Sequence, residues 1–401
     1  MTATTAAPAF SRDRVAHSWL GLRAVSESGD QVWTIALAWT AVHVASPAAA
    51  GAVVAAGTLP RAAVLLLGGV VADRYDARRV MAAANLARIG LLVLVVVRVL
   101  TGPPSLGALL GAAIAFGVTD AVYEPSASTV GRQLVAPADM TAYQGVSQTA
   151  LRLGNTAGAG VGGFVVAAWG LGTSAALDAV TFGAVAVFVV VWLRPRYPLP
   201  RALAEPPLRS IAGGFAHLRD EPVTRALVLG LSGLNLFVGP AEGVGLALRA
   251  REEGWGAGVV GILVALVGAG AAVGAVLTAL RRPRHQARAG FAWLLPQGLA
   301  IVLLGFGSPV VSGVAAVVIG LTAGAASTLL SATFAVVVDG SYLGRMSAIQ
   351  RLGDDVLMPA ATVAFGALAG GVSVATPFVV FGLAMVAFVT VPLANPRLRT
   401  L

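Results

Sequence analysis

The sequence has no cysteine, no lysine and few charged residues of any kind. Only 11% of its 401 residues are charged, whereas a typical soluble domain carries about 25%. The lack of cysteine excludes a disulfide framework, thiolate chemistry and a cysteine-ligated metal site. The four histidines lack the spacing of zinc sites, and neither a nucleophile elbow nor a phosphate-binding loop occurs. We therefore expect no metal, no cofactor and no enzymatic activity.

Long apolar runs make up most of the chain. Hydrophobic residues account for 57% of it, and the mean hydropathy is +0.84. Many windows of about 20 apolar residues are long enough to cross a hydrocarbon core about 30 Å thick. Backbone groups in lipid must be satisfied internally, and these runs are too long for barrel strands. The sequence therefore predicts an all-α polytopic membrane protein.

Twelve transmembrane helices can be drawn, which we expect to form two pseudo-symmetric six-helix bundles. The predicted spans are Trp19–Val44, Ala48–Val71, Arg79–Leu100, Ser105–Val130, Ala142–Trp169, Leu171–Leu193, Val223–Leu248, Gly256–Leu280, Phe291–Gly307, Val310–Val338, Arg345–Gly371 and Ser373–Leu393.

The arginines test this topology. With the N-terminus inside, most of the 27 basic residues fall in loops and tails on one side, and only Arg98, Arg249 and Arg251 fall on the other. This asymmetry follows the positive-inside rule, so we expect both termini to be cytoplasmic. The net charge of +9 raises the alternative of nucleic-acid binding. We reject it because the arginines lie in membrane-flanking loops.

A polar segment divides the chain into two equal halves. We expect a cytoplasmic tail at 1–18, bundles at 19–193 and 223–393, a linker at 194–222 and a tail at 394–401. The linker is rich in proline and then amphipathic, which is typical of a helix on the membrane surface. A short internal repeat matches Arg152-Leu153-Gly154-Asn155 with Arg351-Leu352-Gly353-Asp354. The two segments lie at equivalent places in the two halves, as transporter repeats require.

Acidic residues inside the spans are the first candidates for function, because ionisable groups in a membrane are costly and usually functional. Arg23 and Glu27 are four residues apart and share a helix face, so they are candidates for a pair. Asp120 and Glu124 also share a face, and two repelling carboxylates suit a proton carrier. The alternative is that these two acids are structural partners of basic residues. The candidates for proton or substrate coupling are Glu27, Asp30, Asp120, Glu124 and Glu242, with Asp178, Asp354 and Asp355 as further candidates.

Three arginines lie within predicted spans and need partners there. Arg61 and Arg88 are deeper in their helices than snorkelling explains, so each is expected to meet an acid across the bundle. Arg152 is close to a helix start, so a cytoplasmic position is as compatible with the sequence as a central one.

Two motifs resemble the major facilitator superfamily. In the loop 68–81, Gly69, Asp73, Arg74, Arg78 and Arg79 match its motif between spans two and three, although Asp76 or Ala77 replaces the second glycine. In span five, Gly154, Gly158, Gly162 and Gly163 match the antiporter motif of its exporters, with Ala159 in place of proline. Short segments of spans one, two and six are similar to the branch of enterobactin-type siderophore exporters and macrolide efflux pumps. A simpler reading of the charged loop is a positive-inside signal alone.

The resemblance implies a transporter in which two bundles rock about a central cavity. Asp73 would then contact the start of span eleven, and the loop arginines would meet anionic lipids. We expect a monomeric exporter of amphiphilic small molecules in the bacterial inner membrane, driven by protons. The alternatives are sodium coupling, an importer or facilitator on the same fold, and a non-transporting sensor or scaffold.

Overall fold

The computed structural model describes residues 8–60, 76–197, 207–281, 283–338 and 340–399. These residues are almost entirely helical, and no strand occurs among them. The helices are α1 (Arg14–Val44), α2 (Pro47–Ala56), α3 (Ala77–Thr101), α4 (Leu106–Leu134), α5 (Met140–Val191), α6 (Pro207–Asp220), α7 (Pro222–Pro240), α8 (Leu246–Glu252), α9 (Ala257–Leu280), α10 (Gln286–Leu304), α11 (Pro309–Val337), α12 (Gly340–Gly371), α13 (Ala375–Ala394) and α14 (Pro396–Arg399). Short 3-10 turns occupy Phe10–Arg12 and Pro137–Asp139.

The all-α membrane fold is confirmed, and the helices follow the predicted spans. Predicted spans five and six form the two arms of α5, which are separated at Gly170 with a φ of 72°. Span seven comprises α7, a π-helical turn at Ala241–Gly245 and α8. Span two begins at α2, and its predicted remainder from residue 61 lies outside the described residues. Within the described ranges, nine helices are long and apolar enough to cross a membrane.

The first helix starts earlier than predicted, at Arg14 instead of Trp19. Asp13 explains the difference, because its side chain accepts hydrogen bonds from the backbone nitrogens of Val15 and Ala16 at 3.1 and 3.2 Å and caps the helix. Asp13 also forms an ion pair with Arg196, which ties this end to the segment after α5.

The helices pack as two groups joined by the polar segment. In the first half, α5 packs on α1 and α3; in the second, α11 packs on α9 and α10. The helix α6 lies against α12, where the rings of His217 and Tyr342 stack at 4.1 Å. The halves meet through two antiparallel contacts, α5 with α9 and α2 with α12. The exact limits of tails, bundles and linker stay predictions.

The contact between α5 and α9 is closest near one end of the molecule, which we call the Val44 end; the opposite end is the Arg14 end. Gly163 and Gly261 are buried there against each other's backbone. Further along the same faces, Thr156 and Gly268 are half-buried, and Arg152 and Val276 are exposed. The two helices are therefore in contact from Gly163 and Gly261 as far as Thr156 and Gly268, where a Cβ atom on Gly268 would overlap the side chain of Thr156. The positions beyond this contact, toward the Arg14 end, are exposed.

Candidate functional site

Arg23 lies between two acids of the first half. Its Nη2 is 3.4 Å from both carboxylate oxygens of Glu124 on α4. Glu27 instead accepts a hydrogen bond from Asn155 Nδ2 of α5 at 2.7 Å. The predicted Arg23–Glu27 pair is therefore replaced by two contacts across helices, because α4 and α5 each bring a polar partner to α1.

Arg88 is completely buried and forms an ion pair with Asp120, with 2.6 Å between Nη2 and Oδ1. Its guanidinium also lies 5.4, 4.4 and 4.8 Å from the ring centroids of Phe116, Tyr123 and Phe182, which stabilises the buried cation. Asp120 is thus the partner of Arg88 on the neighbouring helix. This agrees with the alternative that Asp120 is a structural partner of a basic residue.

Asp178 is fully buried in the second arm of α5, against Gly29 of α1. Its Oδ1 lies 3.2 Å from the hydroxyl of Thr181, which can donate to it. Among the described residues, Oδ2 of Asp178 and Oδ1 of Asp30 are buried without a donor. Asp178 acts electrostatically on Asp30 more strongly than any other charged group does. Two carboxylates therefore lie close together with incomplete hydrogen bonding.

The second half holds its own acid–amide contact. Asn235 Nδ2 of α7 donates to Asp354 Oδ2 of α12 at 3.3 Å. Glu242 lies in the π-helical turn that follows Pro240, and this turn contacts α1 and α2 of the first half. Such turns occur frequently at functional sites. The helix is therefore distorted at Glu242 without being interrupted.

The span-five glycines pack in two directions. A Cβ atom at Gly154 or Gly158 would overlap the backbone of Ala24 or Ser28 on α1, and one at Gly162 would lie 2.9 Å from Cα of Val32. Gly163 faces α9 instead. The first three glycines therefore allow α1 and α5 to approach closely, and the fourth allows the two halves to do so.

The charged loop is described only in part. Gly69, Asp73 and Arg74 lie outside the described residues, as does Arg61. Arg78 donates through Nε to the carbonyl of Val189 at 2.6 Å and through Nη2 to that of Val190, so it fastens α3 to the end of α5. The backbone nitrogen of Arg79 donates to Asp76, which caps α3.

Arg152 is exposed, as in the cytoplasmic alternative that the sequence left open for it, and is not a buried basic partner. Among the described residues no group of three or more histidines and acids is placed to hold a metal ion.

No sequence motif selects Arg251, which connects the two halves. Its Nη1 donates to the carbonyl of Val42 and lies 3.4 Å from that of Ala45, at the end of α1. The neighbouring Arg249 pairs with Glu252 at 2.9 Å and Glu253 at 2.7 Å. The only available signal was that both arginines lie on the side that the positive-inside rule leaves poor in arginine.

The chain belongs to the Major Facilitator Superfamily, whose family model matches residues 22–362. It is a multi-pass membrane protein. It is 30% identical over 243 residues to the enterobactin exporter EntS of Escherichia coli and to that of Escherichia fergusonii. The match covers 58% of this chain and 54% of each relative, so the chain spans about half the length of these curated relatives.

Solved transporter structures share the fold. A peptide transporter POT in complex with sulfate has a TM-score of 0.75 at 13% identity, covering 98% of this chain and 96% of that one. The nucleoside transporter NupG (D323A mutant) has a TM-score of 0.73 at 14% identity, with 94% and 98% covered. The human organic anion transporter MFSD10 has a TM-score of 0.62 at 17% identity, also with 94% and 98% covered.

Proposed function

We propose that this protein is a secondary transporter that exports amphiphilic small molecules across the bacterial inner membrane by alternating access. The observation that carries the proposal is the packing of α5 on α9 from the Val44 end to Thr156 and Gly268, with Arg152 and Val276 exposed beyond it toward the Arg14 end. A pair of helices that is packed at one end and leaves its facing residues exposed at the other gives access to the interior from one side of the membrane. The name of the relatives, enterobactin exporter, supports export.

The distribution of arginines supports a cytoplasmic Arg14 end. Among the described residues, Arg12, Arg132 and Arg194 are exposed at this end of the first half, whereas Arg196 is paired with Asp13. At the opposite end, Arg249 and Arg251 are engaged by acids or by helix carbonyls. The positive charge left to interact with lipid is therefore concentrated at the Arg14 end. In this orientation the exposed end of the contact between α5 and α9 faces the cytoplasm, where an exporter loads its substrate.

The coupling ion in this proposal is a proton. Asp30 and Asp178 lie close to each other beside Arg88, whose guanidinium is paired with Asp120. Two ionised carboxylates that lie this close together, beside an arginine already paired with another acid, concentrate negative charge in a medium where charge is costly. A proton taken up by Asp30 or Asp178 relieves it without moving the ion pair. In this proposal Glu27 and Glu124 continue the acidic cluster from Asp30 within the first half, and Glu242 is a separate candidate in the second half.

The charged loop has a gating role in this proposal, by resemblance to the family motif. Gly69, Asp73 and Arg74 would hold the two halves together at the cytoplasmic face when the protein opens outward. Arg78, which holds α3 on the end of α5, would transmit movement of the loop to the first half.

The test uses everted membrane vesicles from cells that produce the protein, with the interior acidified and followed by a pH-sensitive dye. Neutral 1-N-phenylnaphthylamine, tetraphenylphosphonium and an anionic catechol are added one at a time. We expect at least one to release protons from the vesicles, and to accumulate inside, in wild type but not in Asp178→Asn. Gradient-driven loss of the compound from the vesicles would establish an importer. No movement of any compound would reject transport of these amphiphiles.

A further inference from the structure

The π-helical turn at Ala241–Gly245 lies in the boundary between the two halves. It contacts α1 and α2 of the first half, and α12 and α13 of the second. A Cβ atom on Gly243 would lie 3.7 Å from Cγ1 of Val54 on α2, which is an ordinary contact across this boundary. Glu242 directly precedes Gly243, so this acid is carried by a turn that packs against the opposite half.

The matching helix of the first half does not share this distortion. The first helix of that half, α1, is α-helical from Arg14 to Val44, whereas span seven contains the π-helical turn directly after Pro240. Such turns are rare and occur frequently at functional sites. The repeat of the two halves therefore does not explain why this turn and its acid are present.

Glu242 has no partner in the described part of the chain. Its side chain forms no ion pair and accepts no hydrogen bond there. The residue is half-buried, so its carboxyl group has lost part of its hydration without gaining a partner. In a membrane span an ionised carboxylate is costly in such a position, and the neutral acid is much less so.

The helices around the turn carry ionisable residues, but α2 and α13 carry none. In the parts of the other helices that lie toward the Val44 end, these residues are Asp30 and His43 on α1, Arg249, Arg251 and Glu252 on α8, and Asp354 and Asp355 at the middle of α12. None of them acts electrostatically on Glu242. The charge state of Glu242 therefore depends on how far water reaches it.

The contact that closes the Val44 end follows directly after Glu242. There Leu246, Ala247 and Leu248 are buried, and Arg251 donates to the carbonyl of Val42 on α1. Glu242 lies on the inner side of this contact. Opening of the Val44 end would therefore expose Glu242 to water from that side.

We propose that Glu242 is a second proton-binding residue, separate from Asp30 and Asp178, and that its proton controls the Val44 end. With the proton bound, the neutral side chain is compatible with the closed contact. Without it, the ionised carboxylate favours the conformation in which the Val44 end is open and water hydrates the charge. The inference rests on the proposed function, because it uses the alternation between the two conformations.

This assignment gives the proton a place in the transport cycle. In the proposed orientation the Val44 end faces outward, so an exported amphiphile leaves there. Glu242 would then take a proton from the water on that side, lose its charge and allow the contact to close. The carrier would return to the conformation that loads substrate from the cytoplasm.

Double electron–electron resonance across the Val44 end tests the proposal without requiring transport. Spin labels at Ala45→Cys and Glu253→Cys are introduced into the full chain in lipid nanodiscs. Asp178→Asn is present in every sample, so that its own titration does not contribute. We expect the ratio of separated to closed populations to rise at least about fivefold between about pH 6 and about pH 8.

Three variants assign the pH response to Glu242. Glu242→Gln keeps the shape but cannot ionise, so the Val44 end should stay closed and the response should fall below about twofold. Glu242→Asp keeps a carboxyl group and should retain the response. Glu221→Gln, exposed before the first turn of α7, is the matched control and should respond as the unsubstituted chain does. Thermal unfolding of each variant monitors folding.

A pH response that persists in Glu242→Gln, one of opposite sign, or none with Glu242 present would overturn the proposal. The results also distinguish it from the proposed function. Glu242-dependent closure without movement of any amphiphile in vesicles would leave this proton site standing and reject transport of those compounds. Movement of an amphiphile, with a Val44 end that does not respond to Glu242→Gln, would leave transport standing and reject the site.

Discussion

Gly163 of α5 and Gly261 of α9 face each other across the boundary between the two halves. A Cβ atom on either glycine would lie 2.7 Å from the Cα of the other. This distance is too short for a carbon–carbon contact, so the close approach of the halves at the Val44 end depends on both residues being glycine. Access to the interior should therefore change when either one is enlarged.

The first prediction concerns this contact between α5 and α9. Gly163→Val should force the halves apart at the Val44 end, because overpacking a close contact costs about 1–3 kcal/mol. The chain lacks cysteine, so Ala257→Cys provides a single labelling site. Ala257 is buried in the contact between the two halves, so its labelling reports whether that contact opens. We expect membrane-impermeant maleimide added outside to label it faster in Gly163→Val. Gly145→Val, in open space on the same helix, is the control and should not alter labelling.

The second prediction concerns Arg251. Arg251→Gln removes the guanidinium that bonds to the last carbonyls of α1, so the closed Val44 end should lose stability. The Ala257→Cys reporter should again label faster from outside, by about threefold or more for a loss of about 1 kcal/mol. Arg98→Gln at the same end is the control. Equal labelling of both variants would mean that Arg251 does not hold the halves together.

Much of the architecture follows from the sequence, whereas the pairing of side chains does not. The length of an apolar run predicts a membrane span whichever helices pack beside it. The spans could therefore be predicted with small errors at their ends. The partner of Arg23 depends on which helices face α1, and local spacing favoured Glu27 over the observed Glu124. The four-residue spacing of glycines predicted close approach, but not that Gly163 meets a different helix from Gly154.

The third prediction concerns the buried pair of Arg88 and Asp120. Asp120→Asn leaves a guanidinium that is completely buried without its counter-ion, and should lower the stability by about 3–5 kcal/mol. Arg88→Met/Asp120→Asn removes the charge of both partners and should recover a large part of this loss. Thermal unfolding in a mild detergent compares the two. A double variant no more stable than Asp120→Asn would argue against a structural role for the ion pair.

The fourth prediction separates coupling from binding. Asp178→Asn keeps the shape of the side chain but cannot carry the coupling proton. We expect proteoliposomes with this variant to exchange labelled substrate between their two sides at the wild-type rate, yet to lose accumulation driven by a pH gradient. Ser174→Ala, one helical turn away, is the control and should retain both activities. Full gradient-driven accumulation by Asp178→Asn would exclude it as the proton site.

The most direct test of alternating access is a pair of distances measured by double electron–electron resonance. One pair of spin labels, at Arg152→Cys and Val276→Cys, spans the Arg14 end, and a second pair, at Ala45→Cys and Glu253→Cys, spans the Val44 end. In lipid nanodiscs, lowering the pH or adding a transported amphiphile should shift both distributions in opposite directions, one lengthening as the other shortens. Distances that stay fixed, or that change together in the same direction, would contradict the account.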